Sequence, residues 1–219
     1  MPDSWDERAV ACGLQNGDRE AWTLLYQHNS ERVWRYVARL VGSDRSAVAD
    51  IVQETFVAAA HSARNYDAGR GPLAQWLLGI AHHHVAQYWA AAARHSALPR
   101  LIQTGLVQSR LVLASGPGEA GLTEADDPAR LLEQSESAEL VRRVLSELPS
   151  EAALVLCGKY LDDLSVEDLV ARDGGTVESV RSRLARARRD FRERYERLAR
   201  WDEVAAEPKP RHPPSEDAS

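Results

Sequence analysis

The chain has 219 residues and a formal net charge of −6, with 44% hydrophobic and 27% charged residues. These values are ordinary for one or two small globular domains and exclude a wholly disordered chain. No apolar run approaches the roughly 20 residues that span a bilayer, so we expect no membrane contact. The two cysteines, Cys12 and Cys157, are far apart and follow no cleavable apolar leader. We therefore expect reduced thiols in a cytoplasmic protein.

Helix-forming residues dominate the composition and predict an all-α fold. Ala, Leu, Arg and Glu are abundant, and β-branched residues stand singly rather than in alternating runs. The stretch "SGPGEAGLTEADDP", residues 115–128, mixes Gly, Pro, Ser and acids, and therefore predicts a flexible linker. We predict two small helical domains at 10–95 and 134–200, a linker at 96–133, and a disordered, acidic, Pro-rich tail at 201–219.

Residues 98–113, within the expected linker, are apolar and interrupted by Gly. They form either a short helix packed on the first domain or a segment that becomes ordered only on a partner. The sequence leaves this choice open.

The block "VADIVQETFVAAAH", residues 48–61, predicts a helix with one buried and one exposed face. The buried face carries Val48, Ile51, Val52 and Thr55. Asp50, Gln53, Glu54, Val57 and His61 fall on the opposite side, where Asp50, Gln53 and Glu54 form an acidic polar patch with one exposed apolar neighbour. On composition alone, such a patch is most often simply solvated.

The run "GRGPLAQWLLGIAHHHVAQYW", residues 69–89, predicts a loop followed by a helix. If Leu77 marks the buried side, then Trp76, His83 and Gln87 share one face. Trp76 is either part of that exposed face or part of the core.

Three consecutive histidines, His82 to His84, raise the question of a metal site. Adjacent side chains on a helix diverge by about 100°, and no Cys, Asp or Glu four residues on completes a ligand set. We expect no metal, with two of these histidines at the surface and one half-buried. No nucleophile elbow, phosphate loop or paired-carboxylate motif is visible, so we expect neither an enzyme nor a cofactor.

The run "SVEDLVARDGG", residues 165–175, predicts a short helix and a tight turn. Ser165 is suited to the N-cap position because Asp168 follows three residues later, and the helix should end at Gly174. Gly174 and Gly175 permit positive φ, and Thr176 is suited to cap the next helix.

Residues 181–200 carry nine Arg and three acids, which is the charge pattern expected of a nucleic-acid contact. One apolar stripe should face the core: Val177, Val180, Leu184, Ala187 and Phe191. The opposite face should be exposed: Glu178, Ser182, Ala185, Arg186 and Arg189. Two short helices joined by a glycine turn predict a helix-turn-helix, although Arg-rich helices also occur as solvated faces.

The sequence resembles bacterial RNA polymerase sigma factors of the extracytoplasmic-function (ECF) type. "LSVEDLVARDGGTVESVRSRLARAR" resembles their region 4 signature. "GDREAWTLLYQHNSERVWRYVARLVG", "VADIVQETFVAAAHSARNYD" and "GRGPLAQWLLGIAHHHVAQYW" resemble successive blocks of region 2, so the resemblance covers residues 6–200. The chain departs from the family pattern at Asp173, Glu178, Leu73 and His83, and "AAAA" replaces a basic run after Trp89.

The resemblance implies a non-catalytic subunit that associates with core RNA polymerase and directs it to promoter DNA. Asp50, Gln53 and Glu54 would bind the clamp helices of the β′ subunit, a basic surface suited to carboxylates. The β flap is a further expected contact on the polymerase, and an anti-sigma factor is left open as a third partner. The alternative is a sigma-like regulator that binds DNA or protein without supporting initiation.

The resemblance also assigns residues to the two promoter elements. In region 2, unpaired bases of the minus-ten element would meet Tyr66, Arg70, Trp76, His83 and Gln87. In region 4, the minus-thirty-five element would meet Thr176, Ser179, Arg181, Ser182, Arg183, Ala185 and Arg186. Arg188, Arg192 and Arg194 lie too far along the helix to read bases.

Overall fold

The computed structural model describes residues 5–96 and 128–206. In these ranges the chain forms eight α-helices and one 3₁₀ turn (Ala63–Asn65), with no strand, which confirms the all-α fold. The helices are α1 (Glu7–Gln15), α2 (Arg19–Val41), α3 (Arg45–Ser62), α4 (Leu73–Ser96), α5 (Pro128–Glu147), α6 (Ser150–Tyr160), α7 (Val166–Asp173) and α8 (Val177–Ala206). None of the helices in the described ranges is both long enough and apolar enough to cross a bilayer.

The first three helices each begin at an aspartate N-cap. The carboxylates of Asp6, Asp18 and Asp44 accept hydrogen bonds from backbone N–H groups two or three residues on, at 3.0, 3.0 and 3.1 Å. These bonds satisfy donors that the first turn of a helix leaves free. Helix α2 ends at Gly42, whose φ of 92° suits a residue without Cβ.

Helices α1 to α4 enclose the first part of the hydrophobic core. Leu73, Leu77, Ala81 and Val85 recur every four residues along α4 and are fully buried. This confirms that Leu77 marks the inner side of the helix. The predicted inner face of α3 is also confirmed, since all four of its members are buried: Val48, Ile51, Val52 and Thr55.

Helices α7 and α8 form the predicted helix-turn-helix arrangement. The Ser165 hydroxyl accepts from the Asp168 N–H at 3.0 Å, and the Asp168 carboxylate accepts from the Ser165 N–H at 3.0 Å. This capping box confirms the predicted start of α7, and its hydrogen bonds lower the pKa of Asp168. The turn follows at Gly174 and Gly175, with φ of 75° and 94°.

The two faces of α8 are as predicted. Val180, Leu184 and Ala187 are buried, and Val177 and Phe191 are half-buried beside them. The opposite face is exposed at every predicted position: Glu178, Ser182, Ala185, Arg186 and Arg189.

Asp173, which replaces an apolar residue of the family pattern, is buried and paired with its neighbour. Its side chain is 3% exposed, and Arg172 Nη2 donates to its carboxylate at 2.8 Å. The same guanidinium donates to the Leu154 carbonyl at 3.2 Å. It passes so close to α6 that a Cβ on Gly158 would lie 2.5 Å from Nη1. A buried carboxylate is tolerated here because a cation neutralises it and hydrogen bonds satisfy both groups.

The two helical units pack directly against each other. Helix α5 contacts α2 and α4, α6 contacts α4, and one continuous core cluster includes residues from both units. The sequence predicted two domains joined by a linker and carried no signal for this packing, because contacts between distant segments leave no periodic pattern.

Two helices extend beyond the ranges predicted for them. Helix α5 begins at Pro128, so residues 128–133 are helical rather than linker; Pro is favoured in the first turn of a helix. Helix α8 continues to Ala206, so residues 201–206, which contain no Gly or Pro, are helical rather than part of a disordered tail. The remaining linker, with the undecided 98–113 stretch, and the remaining tail lie outside the described residues.

Candidate nucleic-acid and polymerase interfaces

One cavity of about 600 Å³ lies beside α4, between the end of α3 and the start of α6. All five side chains expected to meet the minus-ten element line it: Tyr66, Arg70, Trp76, His83 and Gln87. The sequence placed three of them on one helix face. The fold adds the two from the preceding loop, because the loop turns back over the start of α4.

The two aromatic residues of the cavity differ in exposure. Trp76 is half-buried and packs against the core, while its ring lies 5.3 Å from that of Tyr66 at 54°. Tyr66 is only 7% exposed, and its hydroxyl donates to the Gly71 carbonyl at 3.0 Å. Burial, with a contribution from nearby Glu7, raises the pKa of Tyr66 to about 12. Tyr66 therefore supports the loop before α4.

His83 and Gln87 form an exposed polar pair at the mouth of the cavity. They lie one helical turn apart, and the Gln87 amide donates to His83 Nε2 at 2.9 Å. The pair keeps further donors and acceptors directed at solvent, so it is free to hydrogen-bond to a ligand.

Glu7 and Asp67 were missed by the sequence analysis, although both shape the loop before α4. The Glu7 carboxylate accepts from the Leu73 N–H and lies 3.5 Å from the Tyr66 hydroxyl. Asp67 accepts from the Gly69 N–H at 2.9 Å, which closes a local turn. Asp67 lies in the string "YDAG", whose residue types are typical of a turn, so its role could have been predicted from the sequence. Glu7 is 59 residues from Tyr66, and no local sequence pattern predicts that contact.

The second helical unit supplies one wall of the cavity. Ser150, Glu151 and Leu154 of α6 line it opposite the loop and α4. No sequence signal predicted these residues, because their position follows from the packing of α6 on α4.

His82 corrects the prediction for the histidine run. It is 5% exposed, its Nδ1 accepts from the Tyr36 hydroxyl at 2.9 Å, and its Nε2 donates to the Leu148 carbonyl at 2.8 Å. Burial lowers the pKa of His82, and the Leu148 hydrogen bond opposes that effect. His82 is therefore a buried bridge between the two units, while His83 is exposed and His84 half-buried. Within the described ranges, no group of three or more potential ligands is placed to hold a metal ion.

The acidic patch on α3 is exposed as predicted. Asp50, Gln53 and Glu54 face solvent, next to Val57, which is 51% exposed. Glu54 also lies 3.3 Å from His84 Nδ1, a contact that becomes an ion pair when the imidazole is protonated. The patch thus combines carboxylates with exposed apolar surface.

The amino-terminal part of α8 presents arginines to solvent. Arg181 and Arg186 are exposed, and within the described residues no carboxylate lies within ion-pair distance of either. Arg183 is half-buried and donates to the Gly174 carbonyl at 3.2 Å. Thr176 and Ser179 hydrogen-bond to each other's backbone N–H groups at 3.1 and 3.0 Å, which confirms the predicted cap.

An apolar groove of about 420 Å³ lies on the other side of the second unit. Its floor includes Leu145 and Phe191, and its rim includes Tyr160 and Leu161, which are 59% and 42% exposed. Arg188 donates to the Tyr160 hydroxyl at 2.7 Å and so is held at the groove edge.

Comparison with known proteins gives consistent matches along the chain. The family model for Sigma-70 region 2 matches residues 25–95. The ECF RNA polymerase sigma-E factor of Escherichia coli (strain K12) is 29% identical over 202 residues, which cover 91% of this chain and all of the relative. The probable RNA polymerase sigma-C factor of Mycobacterium bovis is 31% identical over 180 residues, which cover 82% of this chain and 86% of the relative. The chain belongs to the ECF-type RNA polymerase sigma factors.

A solved structure of CnrH in complex with the cytosolic domain of CnrY also matches. It is 22% identical, covers 90% of this chain and 98% of that chain, and has a TM-score of 0.42.

As an ECF sigma factor, the protein directs promoter-specific initiation of transcription by RNA polymerase. The matched relatives are not enzymes in the catalytic sense, and the alternative of a regulator that does not support initiation is not favoured.

The depressed pKa of His82 predicts that the protein loses stability as the pH falls. Above about pH 6.5, His82 is neutral in both the folded and the unfolded chain. Below it, the unfolded chain takes up a proton that the folded chain resists, so stability is lost between the unfolded and the folded pKa. Urea denaturation between pH 7.5 and 5, compared with His82→Gln, measures this contribution, since Gln retains a donor and an acceptor but does not titrate. The exposed His83→Gln is the control. Identical pH slopes for wild type and His82→Gln would contradict the prediction.

Proposed function

We propose that residues 10–95 form sigma region 2, which holds unpaired bases of the minus-ten element in the cavity beside α4. The observation that supports this most directly is that five side chains suited to single-stranded DNA line one cavity. Besides the buried Tyr66, they provide an indole ring, an imidazole, an amide and a guanidinium, which suit stacking on bases, hydrogen bonds to base edges and pairing with phosphate.

Each residue has a distinct role in this proposal. The exposed edge of Trp76 offers a stacking surface, and the His83–Gln87 pair offers hydrogen bonds to a base edge. Arg70, on the exposed loop, contacts phosphate. Tyr66 acts by holding the loop in place through its hydroxyl.

Combined replacement of His83 and Gln87 by Ala tests the cavity. We expect transcription by core RNA polymerase from a randomised promoter library to fall about 5- to 150-fold, since two polar contacts to bases contribute about 1–3 kcal/mol. Promoter opening, read as permanganate reactivity of unpaired thymines, should fall with it. Both residues are exposed, so the fold should survive; Trp34→Ala, an exposed aromatic on α2, is the control. Full opening by the double variant would reject the role of the cavity.

We propose that Asp50, Gln53 and Glu54 bind the clamp helices of the polymerase β′ subunit. All three side chains are exposed on one face of α3, beside the exposed apolar side chain of Val57. Carboxylates suit a basic partner surface, and an apolar centre adds area that is removed from water.

Replacement of Gln53 and Glu54 by Ala should weaken polymerase binding while leaving the fold intact. The expected loss is about 1–3 kcal/mol if these are charge-assisted contacts. Pull-down of a β′ clamp fragment measures it, with Glu31→Ala, an exposed acid on α2, as the matched control. Equal capture of double variant and wild type would contradict the assignment.

We propose that the apolar groove between α5, α6 and α8 receives the β flap of the polymerase. The exposed Tyr160 and Leu161 at its rim support an apolar partner segment, and Arg188 and Arg192 at its edge favour an acidic one. A sigma factor acts on chromosomal DNA together with core polymerase, so we also propose a cytoplasmic location for this protein. An anti-sigma partner stays a prediction.

We propose that residues 134–200 form region 4 and that α8 reads the minus-thirty-five element through the major groove. Recognition helices enter the groove with their amino-terminal residues. Arg181, Ser182, Ala185 and Arg186 are exposed at that end of α8, and the two arginines have no carboxylate partner among the described residues. Thr176 and Ser179 hydrogen-bond to each other's backbone N–H groups, so in this proposal they hold the first turn of α8 and position the residues that follow it on the DNA.

Replacement of Arg181 or Arg186 by Ala separates base reading from phosphate contact. A base-reading Arg should cost about 1–3 kcal/mol and relax the preference at one promoter position. A phosphate-contacting Arg should weaken binding to all sequences alike and lower the salt slope by about one unit. Promoter-variant binding over a salt series measures both effects, with Arg200→Ala, an exposed arginine towards the far end of α8, as the control. Unchanged affinity and preference in both variants would show α8 to be a solvated face.

A further inference from the structure

A cleft of about 730 Å³ lies between α4, the end of α5 and the second half of α8. Three arginines line it, namely Arg143 on α5 and Arg194 and Arg197 on α8. Glu147 supplies the one carboxylate among the lining residues that the structure describes. Three arginines and one glutamate leave the lining with a formal charge of +2, in a chain whose net charge is −6. A cleft dominated by one sign of charge concentrates the opposite ion, so this one favours an anion.

The three guanidinium groups are restrained but incompletely neutralised. Glu147 is shared between two of them, since its carboxylate lies 3.0 Å from Arg197 Nη2 and 3.9 Å from Arg143 Nε. Arg194 Nη1 donates to the Asp190 carbonyl at 3.2 Å, and among the described residues no carboxylate lies within ion-pair distance of Arg194. A guanidinium has five N–H donors, so each group keeps donors for a ligand. Phosphate oxygens accept two such donors at once, which makes phosphate the anion that suits this wall.

The opposite wall of the cleft, on α4, has a different character. Gly79, Ala86 and Ala90 line it with small apolar surface, and Trp89 lies beside them. Trp89 is half-buried, and its Nε1 donates to the Leu40 carbonyl at 2.9 Å, so the indole ring is held in place before a ligand arrives. Small side chains next to a fixed aromatic ring leave room for a second flat ring to pack there.

Two neutral polar groups lie between the arginine wall and the apolar wall. His83 and Ser150 both line the cleft and add an imidazole and a hydroxyl. Groups of these types hydrogen-bond to sugar hydroxyls and to ring nitrogens. The cleft therefore offers cations at one side, a flat apolar surface at the other, and polar groups between them.

We propose that this cleft binds a nucleoside diphosphate, with the diphosphate on the three arginines and the base against Trp89. The cavity volume is within the range that holds small-molecule ligands. The formal charge of +2 matches a diphosphate, which carries more than one negative charge. A DNA duplex offers phosphates without an unpaired base, so it would satisfy the arginine wall alone.

Titration calorimetry of the full chain with ADP, GDP, inorganic pyrophosphate and adenosine tests the proposal. We expect at least one of the two diphosphates to bind, and pyrophosphate to bind about tenfold more weakly because it has no base to pack on Trp89. Adenosine, which has no phosphate, should not bind measurably. Equal binding of pyrophosphate and the nucleotides would overturn the assignment to a nucleotide. Absence of binding by both nucleotides up to about 5 mM would overturn the site itself.

Replacement of Arg194 tests the arginine wall. Arg194→Ala should weaken binding of the nucleotide about tenfold or more, since it removes a cation that no carboxylate neutralises. Arg194→Lys should restore part of the affinity, because lysine keeps the charge but not the two-donor geometry. Arg192→Ala is the matched control, since Arg192 is exposed on the same helix and lines the apolar groove instead.

The surfaces proposed for promoter DNA are tested with the same nucleotide. Arg181→Ala and Gln87→Ala, which lie outside the cleft, should bind it as wild type does. Loss of binding in either of them, with normal binding by Arg194→Ala, would place the nucleotide on a promoter-reading surface and overturn the proposal. Because no DNA or polymerase is present, the outcome is independent of the roles proposed for those surfaces.

A change on the opposite wall tests the position of the ligand without removing an arginine. Ala90→Glu places a carboxylate in the cleft, where it repels phosphate and competes for the guanidinium groups, so it should abolish nucleotide binding. Ala92→Glu makes the same change at an exposed position of α4 outside the cleft and should bind normally. Circular dichroism checks that both variants keep their helices. Normal binding by Ala90→Glu, or equal loss in both variants, would overturn the proposed position.

Discussion

Helix α4 lies between two packed surfaces, and the arrangement of the rest of the protein depends on that position. Leu73, Leu77, Ala81 and Val85 form a fully buried stripe that fills the core of the first unit. Because a helix turns by 100° per residue, the neighbouring positions necessarily point elsewhere. His82 points at the second unit and His83 at the cavity. One helix thus serves core packing, contact between the units, and the surface assigned to DNA.

The local distribution of charge in this protein is more informative than its net charge. A chain of net charge −6 carries nine arginines between residues 181 and 200, and the structure divides them by partner. Arg188 is held by Tyr160 and Arg197 by Glu147, whereas Arg181 and Arg186 project without a carboxylate partner among the described residues. Two of the cations that are free to meet an anion therefore lie near the start of α8, beside the glycine turn.

Departures from the family pattern are matched by other residues of the same chain. Asp173 takes an apolar position, but Arg172 neutralises it and Gly158 leaves room for the guanidinium to cross α6. His82 is likewise buried, and it hydrogen-bonds both Tyr36 and the Leu148 carbonyl. In each case a polar group that would be costly when buried alone has gained its partners.

The sequence by itself determined the helices, their caps and their inner and outer faces, because these depend on neighbours within a few residues. The Ser165–Asp168 capping box, the glycine turn and the exposed patch around Glu54 were all predictable on that ground. Only the tertiary structure decided which faces meet. Glu7 supports Tyr66 from 59 positions away, and the buried His82 hydrogen-bonds Leu148 from 66 positions away. Glu151 likewise enters the cavity from a distant segment of the chain. Such contacts depend on how whole helices pack, and a single sequence holds no periodic trace of that packing.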